Sequence, residues 1–268
     1  MDKFVKLGQD MVLLWSKYKV MYWAGIWNTL KLAFLATLIG CFIGLLCGVL
    51  NTIPYTKKDP LPKRFLLKLL RIIIRIYVEV FRGTPMVLQS VFIYYGLPYF
   101  SNNALRFDNI FAAALLIVAI NTGAYMAESV RGGIISIDPG QTEGAKAIGM
   151  THVQTMLYVI LPQALRNIMP QIGNNLIINI KDSCVLSVIG VAELLYKTKA
   201  AAGALYMNFE TYTITMIMYF IMTFTCSRLL RLWEKKMDGA DNFDLATTDT
   251  LAYTSGMYRY PDDKKEEQ

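Results

Sequence analysis

Apolar residues run along this chain in five long stretches separated by clusters of charge. They cover about Tyr22–Leu50, Ile72–Phe100, Asn109–Ile135, Ala164–Val191 and Phe209–Trp233. A helix needs roughly 20 apolar residues to cross a bilayer, so the pattern predicts an all-α integral membrane protein with about five transmembrane helices. The second stretch is interrupted at Gly83-Thr84-Pro85, where proline removes a backbone donor and breaks the helix. The first carries Gly40, Gly44 and Gly48, a spacing that lets another backbone approach closely. Ahead of it, Phe4, Leu7, Met11, Leu14 and Trp15 recur at helical spacing, which predicts an amphipathic helix over residues 1–21 lying on the bilayer surface. The membrane domain then spans 22–237, and the polar stretch 238–268 reads as a loosely ordered cytoplasmic tail.

Composition narrows the class. Of 268 residues 54% are hydrophobic and 18% charged, less charge than a soluble domain usually carries. The net charge of +7 does not point to nucleic acid, because the basic residues flank apolar spans and no basic stripe is interleaved with stacking aromatics. Cys41, Cys47, Cys184 and Cys226 fall inside apolar segments without metal-ligand spacing and read as small buried hydrophobes. One histidine, His152, excludes a multi-histidine metal site and reads as a surface residue. The first residues alternate charge and apolar side chains with no small-residue cleavage site, unlike a signal peptide. Seventeen basic residues lie in the loops after spans one, three and five, against seven on the other side. That bias predicts an outside N-terminus and a cytoplasmic C-terminus.

The segment 136–162 carries the most specific pattern. Asp138 is placed to cap a helix, Pro139 takes its first position and Gln141 follows three after the cap. Glu143, Gly144, Ala145, Lys146 and Ala147 continue it, and Gly149 is placed to end it in a left-handed turn before Met150. Thr151 and Gln154 form a second capping box, predicting a second short helix that reaches Leu161 before Pro162 opens the fourth span. Two short helices thus project into the cytoplasm, with small residues forming a surface flat enough to dock against another protein.

Glu143-Gly144-Ala145, then Gly149, then Val159-Ile160-Leu161-Pro162 resembles the EAA loop of ABC importer permeases, with Gly144 in place of an alanine and Val159 in place of an isoleucine. The segments Glu79–Pro85, Asn121–Tyr125 with Glu128 and Arg131-Gly132-Gly133, Lys181-Asp182-Ser183 and Ser187–Glu193 resemble those of polar amino acid permeases. The resemblance covers roughly Tyr22 to Met237. It implies a type I importer permease in which this loop, from Asp138 to Pro162, contacts a dimer of ABC ATPase subunits. It further implies a second permease subunit, identical or similar, and an extracellular or periplasmic solute-binding protein, in a bacterial cell membrane. The chain has no GxxxxGK[ST] phosphate loop. ATP and magnesium are therefore expected on the partner subunit, and neither a cofactor nor a catalytic group on this chain.

Several polar positions lie inside the spans. Glu79 and Arg82 stand three apart, and the spacing favours a local ion pair at the break Gly83-Thr84-Pro85, with substrate contact the competing reading. Asn121, Tyr125 and Glu128 share one face of span three. Helix–helix hydrogen bonding and lining of a translocation path both account for them, and Glu128 could instead pair with Arg131. Asn175, Asn179 and Asp182 form a second such face on span four, where Lys181 could neutralise Asp182. Ser183, Ser187 and Gly190 are small enough for close packing or sliding, and the resemblance assigns them to a gate. Tyr94, Tyr95 and Tyr99 suit an aromatic belt. A secondary transporter would require ion-coupling residues and usually internal repeats, and a membrane enzyme a catalytic constellation; neither is legible.

Overall fold

A helix satisfies its backbone groups within its own segment, which suits a long apolar stretch. In the computed structural model, which describes residues 2–55, 57 and 59–238, all regular elements among the described residues are helical. The tail past Asp238 lies outside the described residues. The chain through Leu230 forms one unit, and the last turns of the final helix, from Arg231, belong to a second.

Helix α1 runs unbroken from Asp2–Thr52. The stretch expected to form a separate amphipathic helix is therefore continuous with the first long apolar stretch. No glycine or proline stands between Gly8 and Gly25 to interrupt it, and part of its apolar face is used within the protein, although Phe4 is exposed. Leu14 and Tyr22 are fully buried, in a cluster with Ile180, Leu194, Ile214 and Met218. Farther along, α1 packs on α5 (Ile110–Ile135). The glycine stripe sits on that seam: a Cβ at Gly40 would lie 2.6 Å from Thr122 Cβ, one at Gly48 2.5 Å from Val130 Cγ1, and one at Gly44 would collide with Met126. Positions four apart on α1 thus face positions four apart on α5, the close small-residue packing that apolar solvent favours.

The second expected span is divided. Helix α2 (Leu61–Gly83) begins eleven residues earlier than the apolar run and carries seven charged side chains. Past Thr84 and Pro85 follow α3 (Met86–Val91), a π-wound stretch Phe92–Gly96 and α4 (Leu97–Phe100). By length and apolarity three helices can cross a membrane among the described residues: α1, α5 and α10 (Asn208–Asp238). The run His152–Ile189 with α9 (Leu194–Leu205), bent by 55°, adds a fourth when the bent pair is counted as one span.

Of the two short helices expected over 136–162, the first forms as expected. Helix α6 spans Pro139–Ala147 and α7 His152–Gln154. The second short helix does not stop at Leu161. A π-wound stretch Thr155–Ile160 carries it into α8 (Leu161–Asp182) without a break. Proline clashes with the carbonyl four residues back. Tyr158 stands there for Pro162 and Tyr94 for Pro98, each inside a π-wound stretch, whose wider turn accommodates the ring. A 3₁₀ stretch, Ser183–Ile189, follows α8.

Candidate functional site: a polar pocket at the helix break

Breaking α2 at Gly83 leaves its last carbonyls without intrahelical donors. Gln89, buried on α3, meets them: its Nε2 lies 2.9 Å from the Phe81 and Thr84 carbonyls and 2.8 Å from the Thr84 hydroxyl. Asn121 Nδ2 then donates to Gln89 Oε1 (2.9 Å) and to the Phe81 carbonyl (3.2 Å). Of the two readings of Asn121, helix–helix bonding is the one these contacts show. Gln89 went unnoticed in the sequence, although a lone amide four residues past a helix-breaking proline was the available signal.

On α8, Asn179 Nδ2 donates to Thr37 Oγ1 of α1 at 2.8 Å, and the Thr122 hydroxyl of α5 donates to Asn179 Oδ1 at 3.2 Å. One amide thus joins three helices. Asn175, also buried, donates to the Met126 sulfur at 3.0 Å. Around these groups lies a cavity of about 250 Å³, lined by Asn121, Tyr125, Asn175, Asn179 and Asp182 together with Thr84, Pro85, Met86, Thr122 and Ile178. Five of the six residues expected on the path meet there. Asp182 is the sole charged residue of the lining.

Glu128 is the exception. It lines a second, larger cavity of about 790 Å³ together with Glu79, Arg82 and Arg131. It pairs with Arg82, whose guanidinium lies 5.3 Å from the Tyr125 ring centroid. Both sequence pairings are corrected by this contact: Arg82 bonds Glu128, not Glu79, and Glu128 does not take Arg131. At the last turn of α2 the Arg82 side chain reaches across to α5, where a carboxylate and an aromatic face are both available. Glu79, exposed, makes no ion pair among the described residues, nor do Lys181 and Asp182 with one another.

Beyond α8, Ser183 is fully buried and donates to the Ile180 carbonyl, while Ser187 accepts from Lys199 Nζ at 2.9 Å. Gly190 adopts φ +90° and has nothing within 4 Å of a Cβ position. A left-handed backbone, not close packing, requires glycine there. Glu193, fully buried, caps α9 by accepting from the Leu195 and Tyr196 amides (2.7 and 2.6 Å) and from the Tyr219 hydroxyl (2.8 Å). Asn28 holds the same corner by donating to the Ala192 carbonyl.

In the loop, Asp138 accepts from the Gly140 amide at 2.6 Å, and both capping-box bonds of Thr151 and Gln154 form. Gly149 has φ +83°, and the Met150 amide reaches back to the Ala145 carbonyl at 3.0 Å, closing α6 in a Schellman-type turn. Ala145 faces inward, whereas Glu143, Gly144 and Ala147 are exposed; Gln141 accepts from Gln163 of α8. Leu161 is half-buried and Pro162 exposed. His152 is half-buried, and that burial, with Lys146 and Lys63 nearby, holds its pKa below the usual value. No group of three or more metal-ligating side chains occurs among the described residues.

Residues 60–239 match the family described as binding-protein-dependent transport system inner membrane component. The chain is 36% identical over 222 residues to the glutamine transport system permease protein GlnP of Escherichia coli (strain K12), covering 80% of this chain and 97% of the relative. It is 32% identical to the arginine transport system permease protein ArtQ of Bacillus subtilis (strain 168), covering 81% and 92%. A crystal structure of an amino acid ABC transporter with histidines superposes with a TM-score of 0.72 at 39% identity, over 84% of this chain and 97% of that one. The MetNI methionine ABC transporter, at 21% identity and a TM-score of 0.61, shares the fold. With residues 60–239 matched and relatives above 30% identity covered over most of their length, the chain belongs to the family of inner membrane components of binding-protein-dependent transport systems.

Proposed function

We propose that this chain is the membrane-spanning subunit of an ATP-driven importer of polar amino acids, and that the pocket of Asn121, Tyr125, Asn175, Asn179 and Asp182 receives the substrate. The observation that carries this reading is the pocket's make-up: amides, hydroxyls and one carboxylate, with no cation. A zwitterion leaving water needs partners for both charges, because a bare charge in a low-dielectric setting costs several kcal/mol. Asp182 suits an ammonium group, and Asn175, whose amide nitrogen donates to Met126 alone, has an N–H left for a carboxylate. Relatives named for glutamine and arginine transport support the amino acid class.

In this reading the protein crosses the membrane five times: α1, the broken run α2–α4, α5, α8 with α9, and α10. The N-terminus lies outside and the C-terminus in the cytoplasm. Helix α6 and its Gly149 turn dock on a dimer of ATPase subunits, which hold ATP and magnesium. A second permease subunit completes the path, and a binding protein delivers substrate from the opposite side. Ser183, Ser187 and Gly190 form the outer gate. Lys199 and Glu193 hold that corner to α9, so a shift of α9 would move it.

The test is substrate-stimulated ATP hydrolysis by the reconstituted complex. Asp182→Asn should raise the substrate concentration needed for half-maximal stimulation by about tenfold, the loss of one charged contact of roughly 1.4 kcal/mol. An unchanged response would place substrate elsewhere.

A further inference from the structure

The larger cavity is basic in a way the transport reading does not use. Lys68, Arg71, Arg75 and Arg82 line it from α2 at helical spacing, and Arg131 adds a fifth cation from α5. Glu128 is taken up by Arg82, leaving four cations facing one carboxylate, Glu79. Arg71 is held in place: it donates to the Ile53 carbonyl at 2.5 Å and stacks 4.6 Å over the Tyr55 ring, while its Nε is buried without a partner. Lys68, Arg75 and Arg131 make no ion pair among the described residues. The other face of α2 is apolar and open, with Leu69 43%, Ile73 55% and Ile76 55% exposed. Exposed Ile72 and Ile135 also line the cavity.

We infer that this cavity binds the phosphate headgroup of an anionic phospholipid, whose acyl chains lie against the exposed Ile72 and Ile135 at its edge. Basic pockets between membrane helices suit such headgroups. Cations alone would equally suit free phosphate, but the apolar residues beside them fit a ligand with both a charged head and hydrocarbon tails. The site stands apart from the Asp182 pocket, and binding can be read without transport, so either proposal can fail alone.

The full chain, purified with its co-expressed partner subunits and delipidated, is offered phosphatidylglycerol and phosphatidylcholine of identical acyl chains, and bound lipid is counted by native mass spectrometry. Phosphatidylglycerol should be retained preferentially. Lys68→Gln with Arg75→Gln should weaken that retention about thirtyfold, at about 1 kcal/mol per cation, whereas Lys68→Arg with Arg75→Lys should preserve it. Equal retention of the two lipids, or an unchanged double variant, overturns the inference. Retention of glycerophosphoglycerol, the same headgroup without acyl chains, as tightly as phosphatidylglycerol overturns the lipid assignment in favour of a free anion. Should the double variant fail to fold, a fluorophore on Ile72→Cys in a chain with Cys41, Cys47, Cys184 and Cys226 replaced by alanine gives the answer. Brominated phosphatidylglycerol must quench it more than brominated phosphatidylcholine, and equal quenching refutes the site.

Discussion

Single residues here are constrained mostly by what a helix must do without water. Gly44 has no room for a side chain against Met126. Gly44→Val should destabilise the purified protein by about 1–3 kcal/mol through overpacking, read as a lowered unfolding temperature in detergent. Gly144, by contrast, lies in α6 with nothing within 4 Å of a Cβ. Gly144→Ala should leave stability unchanged or raise it by up to about 1 kcal/mol. Gln89→Leu would leave the Phe81 and Thr84 carbonyls without their donor and should cost about 1–3 kcal/mol. The glycine spacing and the polar faces were legible because both follow the 3.6-residue period. The partner of Arg82 was not, because Glu128 lies 46 positions away and sequence spacing ranks only neighbours on one helix.

At the scale of elements, local chemistry located α6: cap, first-turn proline and terminal glycine all act within a few residues. It failed at Pro162, read as a boundary, because a π-wound turn lets a helix continue past a proline. If α6 is the docking element, Glu143→Lys reverses charge on its exposed side and Gly149→Val strains a left-handed turn by about 1–2 kcal/mol. Both variants should insert normally yet lower uptake and co-purification of the ATPase subunit. Retention of both would exclude α6 as the contact. The Arg82–Glu128 pair joins α2 to α5 beside the Asp182 pocket, so Arg82→Glu alone should impair uptake. Combining it with Glu128→Arg should recover part of the loss, which a purely steric role would not permit.

For the whole molecule, the sequence already carried the membrane class and the family, since apolar length and four ordered motifs suffice for both. What it missed were consequences of three-dimensional contact. The N-terminal stretch joined α1 because its apolar side found Leu194 and Ile214. Glu128 separated from Asn121 and Tyr125 because the face they share opens on two cavities. Reconstitution tests the central claim most directly: the chain and its ATPase subunits in proteoliposomes, binding protein outside, ATP inside, with accumulation of labelled amino acids measured. The account predicts accumulation that requires ATP and the ATPase subunits, with no ATP turnover by this chain alone. Accumulation driven by an ion gradient without ATP would contradict it.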